Sequence, residues 1–296
     1  TDLAELASNQ NPDIVVICTP PATHRPLAIQ AMESGSNVLI EKPMALSGAE
    51  CDEMIAVSES QGRKIGVMHN QVFNPAVDKA RKAMAKPSFG RLLGVRIFLA
   101  TSTDYMTSIP DHWAHRLPGG VVGETGPHAV YLSQAFLGEI EEASVWHRKL
   151  YPEFTWSIAE DVRMNLTCAD GLSSVTLTYG STQTAAEIDL IGSEDIIRLD
   201  LQGRSAVRLN RPNLDAPTVA GSMVGTARQT FTAALGNAAG FVFNRASLNP
   251  HWIGVNRFLD HLDSGAGYPA TGEDGRSVVT AMEMISKEMG AVELKG

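Results

Sequence analysis

Asp13-Ile-Val-Val-Ile-Cys-Thr-Pro-Pro-Ala-Thr-His24 is an apolar run that stops at two prolines. Residues 14 to 17 are β-branched and show no polar alternation. That is the pattern of a strand covered on both faces, as in a parallel sheet. From His24 to Ser34 the composition turns helical, and Gly35 stands where a helix C-cap belongs. Asn37 to Ile40 reads as a second strand, closed abruptly by Glu41-Lys42-Pro43. Ser47 to Gln61 reads as a helix with Ser47 as N-cap, Glu50 completing a capping box and Gly62 as the stop. Lys64 to Met68 is a third strand, and Pro75 to Lys86 a third helix with its proline in the first turn. Strands alternating with helices over short links predict a parallel sheet with helices on its faces.

The pattern then changes. Arg91–Leu99, Ala143–Leu150, Asp161–Cys168, Ser173–Tyr179, Glu187–Ile191 and Ile196–Leu201 read as strands. Several alternate apolar and polar residues, as in Val162-Arg-Met-Asn-Leu166, which predicts an antiparallel sheet with one wet face. A helix is expected at Gly126–Leu137. Asn210 to Asn249 reads as a loop with one or two helices, and Trp252–Ser264 and Gly275–Met289 as amphipathic helices. The expected fold is α/β: an α/β unit over residues 1–90, then an α+β unit over 91–296 built on a mostly antiparallel sheet.

Composition narrows the function. The 296 residues are 44% hydrophobic and 19% charged, as in a soluble globular protein. A net charge of -9 argues against binding nucleic acid or a membrane surface through bulk charge. Cys18, Cys51 and Cys168 fit no zinc or redox spacing and read as buried free thiols of a reducing cytoplasm. No signal peptide or membrane span is apparent. His69, His112 and His115 lie in no metal-ligand spacing, so no metal is assigned.

In shared order, these motifs resemble the Gfo/Idh/MocA family of NAD(P)-dependent oxidoreductases: the segment 13–24, Glu41-Lys42-Pro43, and Gly119-Gly120 leading to Glu124-Thr-Gly-Pro-His128. Glu187-Ile-Asp-Leu-Ile-Gly192-Ser and Pro269-Ala-Thr-Gly-Glu-Asp-Gly275 continue the likeness to the end of the chain. The resemblance implies that residues 1–90 are a partial Rossmann domain, that the sheet of residues 91–296 is large and open, and that NAD or NADP is the cofactor. It implies hydride transfer at a hydroxyl or carbonyl of a sugar, inositol or similar small polyol, and a homodimer or homotetramer formed through the open sheet. Lys42 and His128 are then the catalytic pair, with Glu124 beside them. Thr19, Pro20 and His24 would sit by the cofactor's ribose and nicotinamide, with Glu41, Lys42, Pro43 and Asn70 on the same rim. Lys42, Glu124 and His128 would also touch the substrate, with Trp113 and Arg116 bounding its pocket.

Each residue also has a plainer reading. Lys42 is a solvated strand-end lysine, or a charge held at the carboxyl rim of the sheet, where ligands of open α/β folds bind. Glu124 is a surface acid, or a neighbour of His128 four residues on along one helix face. His128 is an ordinary helix histidine, or a base kept neutral near a helix N-terminus. His24 caps or flanks its helix. Trp113 packs, and Arg116 is a surface charge.

Two departures from the family pattern stand out. Glu124 replaces the aspartate before the histidine, and Tyr131 replaces the acidic residue three positions after it, removing a charge. Glycine spacing of the dinucleotide type, Gly-x-Gly-x-x-Gly, is also absent. The resemblance would place two βα units, about 60 residues, before Thr1, which itself reads as lying within a helix. The expectation is that the 296 residues alone bind NAD poorly and present an unpaired strand edge. Alternatives within the same fold are a non-catalytic dinucleotide-binding regulator and an enzyme of NAD-assisted elimination or hydrolysis.

Overall fold

The computed structural model describes residues 12–243 and 249–290. The helix expected around Thr1 lies outside them. Strands β1 (Ile14–Ile17), β2 (Asn37–Glu41) and β3 (Ile65–Met68) form a parallel sheet in that order. Helices α1 (His24–Glu33) and α2 (Gly48–Gln61) make the crossovers. Ser47 caps α2 by accepting from the Glu50 amide, and Gly62 ends it at φ 60°. The Glu50 carboxylate reaches the Leu46 amide rather than that of Ser47, so the expected box is half made. Among the described residues β1 pairs only with β2, and Val16 stands 55% exposed upon it. Cys51 and Cys168 are buried as expected, but Cys18 is exposed, because it sits where β1 leaves the sheet.

Helix α3 (Pro75–Met84), capped by the Asn74 side chain, leads to the second sheet. It comprises β4 (Leu92–Ser102), β5 (Ile140–Arg148), β6 (Asp161–Cys168), β7 (Gly171–Ser181), β8 (Ala185–Gly192), β9 (Ile196–Asp200) and β10 (Ser205–Arg208). Their order is β10-β9-β8-β4-β7-β6-β5, antiparallel except for the β4–β7 pair. One face buries Val95, Ile97, Val162, Met164, Val175 and Leu177 in the core. On the other, Leu172, Trp146 and Ile191 are exposed, and Asp189 is bridged by Arg96 and Arg198 from the flanking strands. The strand β10 was not anticipated; Ser205-Ala-Val-Arg208 is neither a continuous apolar run nor a strict alternation.

Two helices differ from expectation. Helix α4 runs from Val121 to Leu137, so Pro127 lies inside it rather than in its first turn. Gly119 and Gly120, at φ 78° and 62°, make the turn that launches the helix earlier. Residues read as a loop with one or two helices form α5 (Ala216–Phe243), a single helix of 28 residues. Asp215 caps it through the Thr218 amide at 2.9 Å, and its many alanines outweigh its glycines. Positions 244–248 of that expected loop lie outside the described residues. No described helix is long and apolar enough to cross a membrane.

Helices α6 (Pro250–Ser264) and α7 (Gly272–Glu288) return to the parallel sheet. The segment before α7 pairs with β3: the Val67 amide donates to the Ala270 carbonyl at 2.8 Å, and Gly66 bridges Thr271. Thr271 and Asp274 close a full capping box. At Gly66 the backbone lies under the Phe258 ring of α6, where an added Cβ would meet ring carbons at 2.7 and 2.8 Å and Leu39 Cδ1 at 3.1 Å. Strand and helix surroundings leave the ring no room to retreat. Gly66→Ala is therefore expected to destabilise the protein by about 1–3 kcal/mol through overpacking. Urea unfolding should show the loss, and Phe258→Leu added to Gly66→Ala should recover part of it. An unchanged midpoint in the single variant would show that the contact is slack.

Candidate active site

The carboxyl ends of β1, β2 and β3 form a rim that faces the N-terminal half of α4. Lys42 leaves β2 just past Glu41, and the Lys42–Pro43 peptide is cis. The Lys42 ammonium donates to the Glu124 carbonyl at 2.8 Å and to Glu124 Oε1 at 2.6 Å. The two side chains are 11% and 19% exposed, so the pair is largely shielded from water. A lysine ammonium has three donors. Glu124 takes two, and no other described residue takes the third.

Glu124 lies in the first turn of α4 and His128 one turn further on the same face. His128 sits well inside the helix, so the helix terminus expected to govern its charge is too distant to do so. Burial chiefly, and then the Lys42 charge, push its pKa well below 6.5. Its Nδ1 lies 2.5 Å from the Tyr131 hydroxyl. That hydroxyl also donates to Asn70 Oδ1 at 2.9 Å and accepts from the Gln71 amide at 3.1 Å. Asn70 Nδ2 faces His251 Nε2 at 3.3 Å, and His251 Nε2 lies 3.8 Å from Glu41 Oε1. Fully buried His69 stacks on Tyr131, ring centroids 4.6 Å apart, and burial holds its pKa down to about 3.

The remaining site candidates separate. Thr19 and Pro20 lie exposed on the rim. His24 is wholly buried, with Nε2 at 2.8 Å from the Thr19 carbonyl and Nδ1 at 2.9 Å from that of Pro43. It ties the turns after β1 and β2 together, with both ring nitrogens engaged by those carbonyls. Trp113 and Arg116 occupy a one-turn 3-10 helix before α4; both are exposed and neither hydrogen-bonds to Lys42, Glu124 or His128. His112 caps that turn through the Ala114 amide, and His115 Nε2 meets the Met106 and Ile109 carbonyls. Among the described residues no group of three or more His, Cys, Asp or Glu is arranged to hold a metal ion. Sequence reading missed His69, Gln71 and His251. His251 follows Asn249-Pro250, a cap and first-turn proline that are readable signals, but nothing in them marks its approach to Asn70.

Thr19, Pro20 and Asn70 follow the carboxyl ends of their strands as Lys42 follows β2, and ligands of open α/β folds lie at that edge. This fold and rim define the class of nicotinamide-dependent α/β oxidoreductases. Residues 1–69 match the model of an oxidoreductase family with an NAD-binding Rossmann fold, and residues 77–198 match the C-terminal domain of the same family. The chain belongs to the Gfo/Idh/MocA family.

Among its relatives, D-apiose dehydrogenase of Paraburkholderia graminis is 24% identical over 99% of this chain and 76% of its own length. The 2,7-anhydro-N-acetylneuraminate hydratase of Mediterraneibacter gnavus is 36% identical over 31% of this chain and 25% of its own. In structure, the WlbA dehydrogenase from Bordetella pertussis, solved with NADH and UDP-GlcNAcA, superposes with a TM-score of 0.74 at 17% identity. That alignment covers 98% of this chain and 81% of the other, and it is a likeness of fold.

A histidine base must be neutral to act, and a lowered pKa keeps it so in more acidic solution. The acid limb of kcat/KM for alcohol oxidation should therefore fall below pH 6.5, the ordinary histidine value. His128→Asn should lower the rate by roughly 10²–10⁴-fold and remove that limb. A limb at or above the ordinary value in the wild type would contradict the environment described for His128.

Proposed function

We propose that the protein is an NAD(P)-dependent dehydrogenase that interconverts a hydroxyl and a carbonyl on a sugar, inositol or similar small polyol. One observation carries the reading. Lys42, from the rim of the parallel sheet, is held by Glu124 with one donor unspent, and neutral His128 lies one helical turn from that carboxylate. The nicotinamide, when bound, supplies the hydride acceptor or donor. His128 takes the hydroxyl proton. Lys42 points its remaining N–H at the same oxygen and stabilises the alkoxide charge as it develops. Glu124 fixes the ammonium and offers its second oxygen to a neighbouring substrate hydroxyl. Asn70, Thr19 and Pro20 line the cofactor side, and Trp113 and Arg116 bound the substrate side.

In this reading residues 1–90 carry the cofactor and residues 91–296 the substrate and the subunit contacts. The open face of the second sheet, with exposed Leu172, Trp146 and Ile191, is the surface through which copies associate. The D-apiose dehydrogenase relative supports a sugar as substrate. The hydratase relative makes net redox change the decisive measurement.

The test is spectroscopic: NAD and NADP with the purified protein and a panel of aldoses, apiose included, inositols and sugar acids. Net formation of reduced nicotinamide with at least one of them is expected. Conversion of a sugar with no net reduction would replace the dehydrogenase reading by transient oxidation and elimination. Lys42→Met should lower kcat by roughly 10²–10³-fold with little change in NAD affinity, as removal of a preorganised charge stabiliser does. Equal turnover in the two proteins would remove Lys42 from the chemistry.

A further inference from the structure

The substitution of Tyr131 for an acid looks like a loss when only the sequence is read. The geometry points to a replacement instead. We propose that Tyr131 is a positioning residue whose neutral hydroxyl holds the His128 ring as the Nδ1–H tautomer, leaving the Nε2 lone pair free for the substrate's proton. The inference deepens the dehydrogenase reading and rests on it for its chemical meaning.

The argument is a count of protons. A phenol has one hydrogen to give and room to accept two. The Tyr131 hydroxyl has three neighbours: the Gln71 amide, which only donates; Asn70 Oδ1, which only accepts; and His128 Nδ1. The single phenolic hydrogen goes to Asn70. His128 Nδ1 must then donate, and a neutral imidazole with Nδ1–H carries its lone pair on Nε2. Asn70 Nδ2 faces His251 Nε2 at 3.3 Å, a contact that keeps the amide in this sense when that ring nitrogen carries the lone pair. The tyrosine ring cannot swing away, since it is 2% exposed and lies flat against His69. Burial also raises the Tyr131 pKa well above 10, so the phenol keeps its proton at working pH.

The choice of a phenol has an electrostatic consequence. The charged and titratable groups around His128 are Lys42 with its partner Glu124, His69, His251 and, through Tyr131, Glu41. A carboxylate at position 131 would orient the ring in the same way but would also stabilise the imidazolium and raise its pKa. The phenol orients without charging.

Two measurements decide the matter. Nitrogen-15 NMR of the histidine side chains, with the His128 signals assigned by difference from His128→Asn, reads the tautomer in the wild-type protein without any substrate. The Nδ1–H form is expected; the Nε2–H form overturns the proposal. In kinetics, Tyr131→Phe should lower kcat on the order of 10²-fold with KM changed far less. Tyr131→Glu should regain part of that kcat and move the acid limb of the rate profile upward by about one unit. Tyr131→Phe at wild-type kcat, or a folded Tyr131→Glu with an unmoved limb, overturns it. The Nδ1–H signature in a protein that reduces no nicotinamide would defeat the dehydrogenase reading and leave the positioning role intact. Turnover with the Nε2–H form would defeat the positioning role alone.

Discussion

The geometry of the site depends on how closely helix α7 is allowed to approach. α7 belongs to two cores at once: Val278, Met282 and Ile285 join the cluster under the antiparallel sheet, while Val279 joins the cluster around the parallel sheet. Gly275 makes this possible. A Cβ there would strike Val67 Cγ2 at 2.6 Å and Met44 Sδ at 2.9 Å. Met44 follows Lys42-Pro43 directly, so the helix settles on the turn that carries the lysine. On its other side α7 presses Met282 against Gly126 of α4, at a point where a Cβ would lie 2.9 Å from Met282 Cε. Gly126 lies between Glu124 and His128. One helix thus sets the distance between the strand end that supplies Lys42 and the helix turn that supplies its partners.

That placement explains an otherwise costly ion pair. Shielding a lysine and a glutamate from water costs more than their attraction returns unless the geometry is good and further hydrogen bonds support the pair. Lys42 meets both a carboxylate oxygen and a backbone carbonyl of one residue, so its direction is fixed as well as its charge. The pair adds little net charge to the cleft. What remains of the Lys42 field falls on His128, where it adds to desolvation in keeping the imidazole neutral. Stability here follows from packing on α7, and the polar groups use that rigidity to hold their orientations.

Much of the fold was legible because its signals are local. The β-branched run at residues 14–17, the Ser47 cap and the stop at Gly62 each act within a turn or two of the chain. Errors arose where a local signal had a stronger neighbour. Pro127 resembles a helix start, but the glycine pair at 119 and 120 had already begun one. The glycines of 221–240 resemble a loop, but the Asp215 cap and the alanines carry a single helix through them. At the site, Lys42, Glu124 and His128 were readable from motif order, and the structure brings them together. The tie that His24 makes between two turns was not readable, because its carbonyl partners come from different parts of the chain. His251 was missed because it reaches Asn70 across 181 positions of sequence.

Tyr131 marks the deeper limit of reading by residue type. Replacing an acid by a phenol removes a charge, and charge was the property that the sequence comparison tracked. The site needs an acceptor for one ring N–H, and a phenol that spends its own hydrogen elsewhere is such an acceptor. Whether it does so depends on Asn70, two residues past the end of β3, and on His251 in α6. Lys42 and Asn70 come from the parallel sheet; Glu124, His128 and Tyr131 come from α4; His251 comes from α6. Helix α4 holds both the base and the phenol that orients it, but the groups that fix the phenol's hydrogen bonds come from the end of β3 and from α6. A protein that only sensed a dinucleotide would need the rim of the first sheet alone. A lysine with one donor unspent, and an imidazole held across the seam with its lone pair free, are what the proposed proton transfer requires.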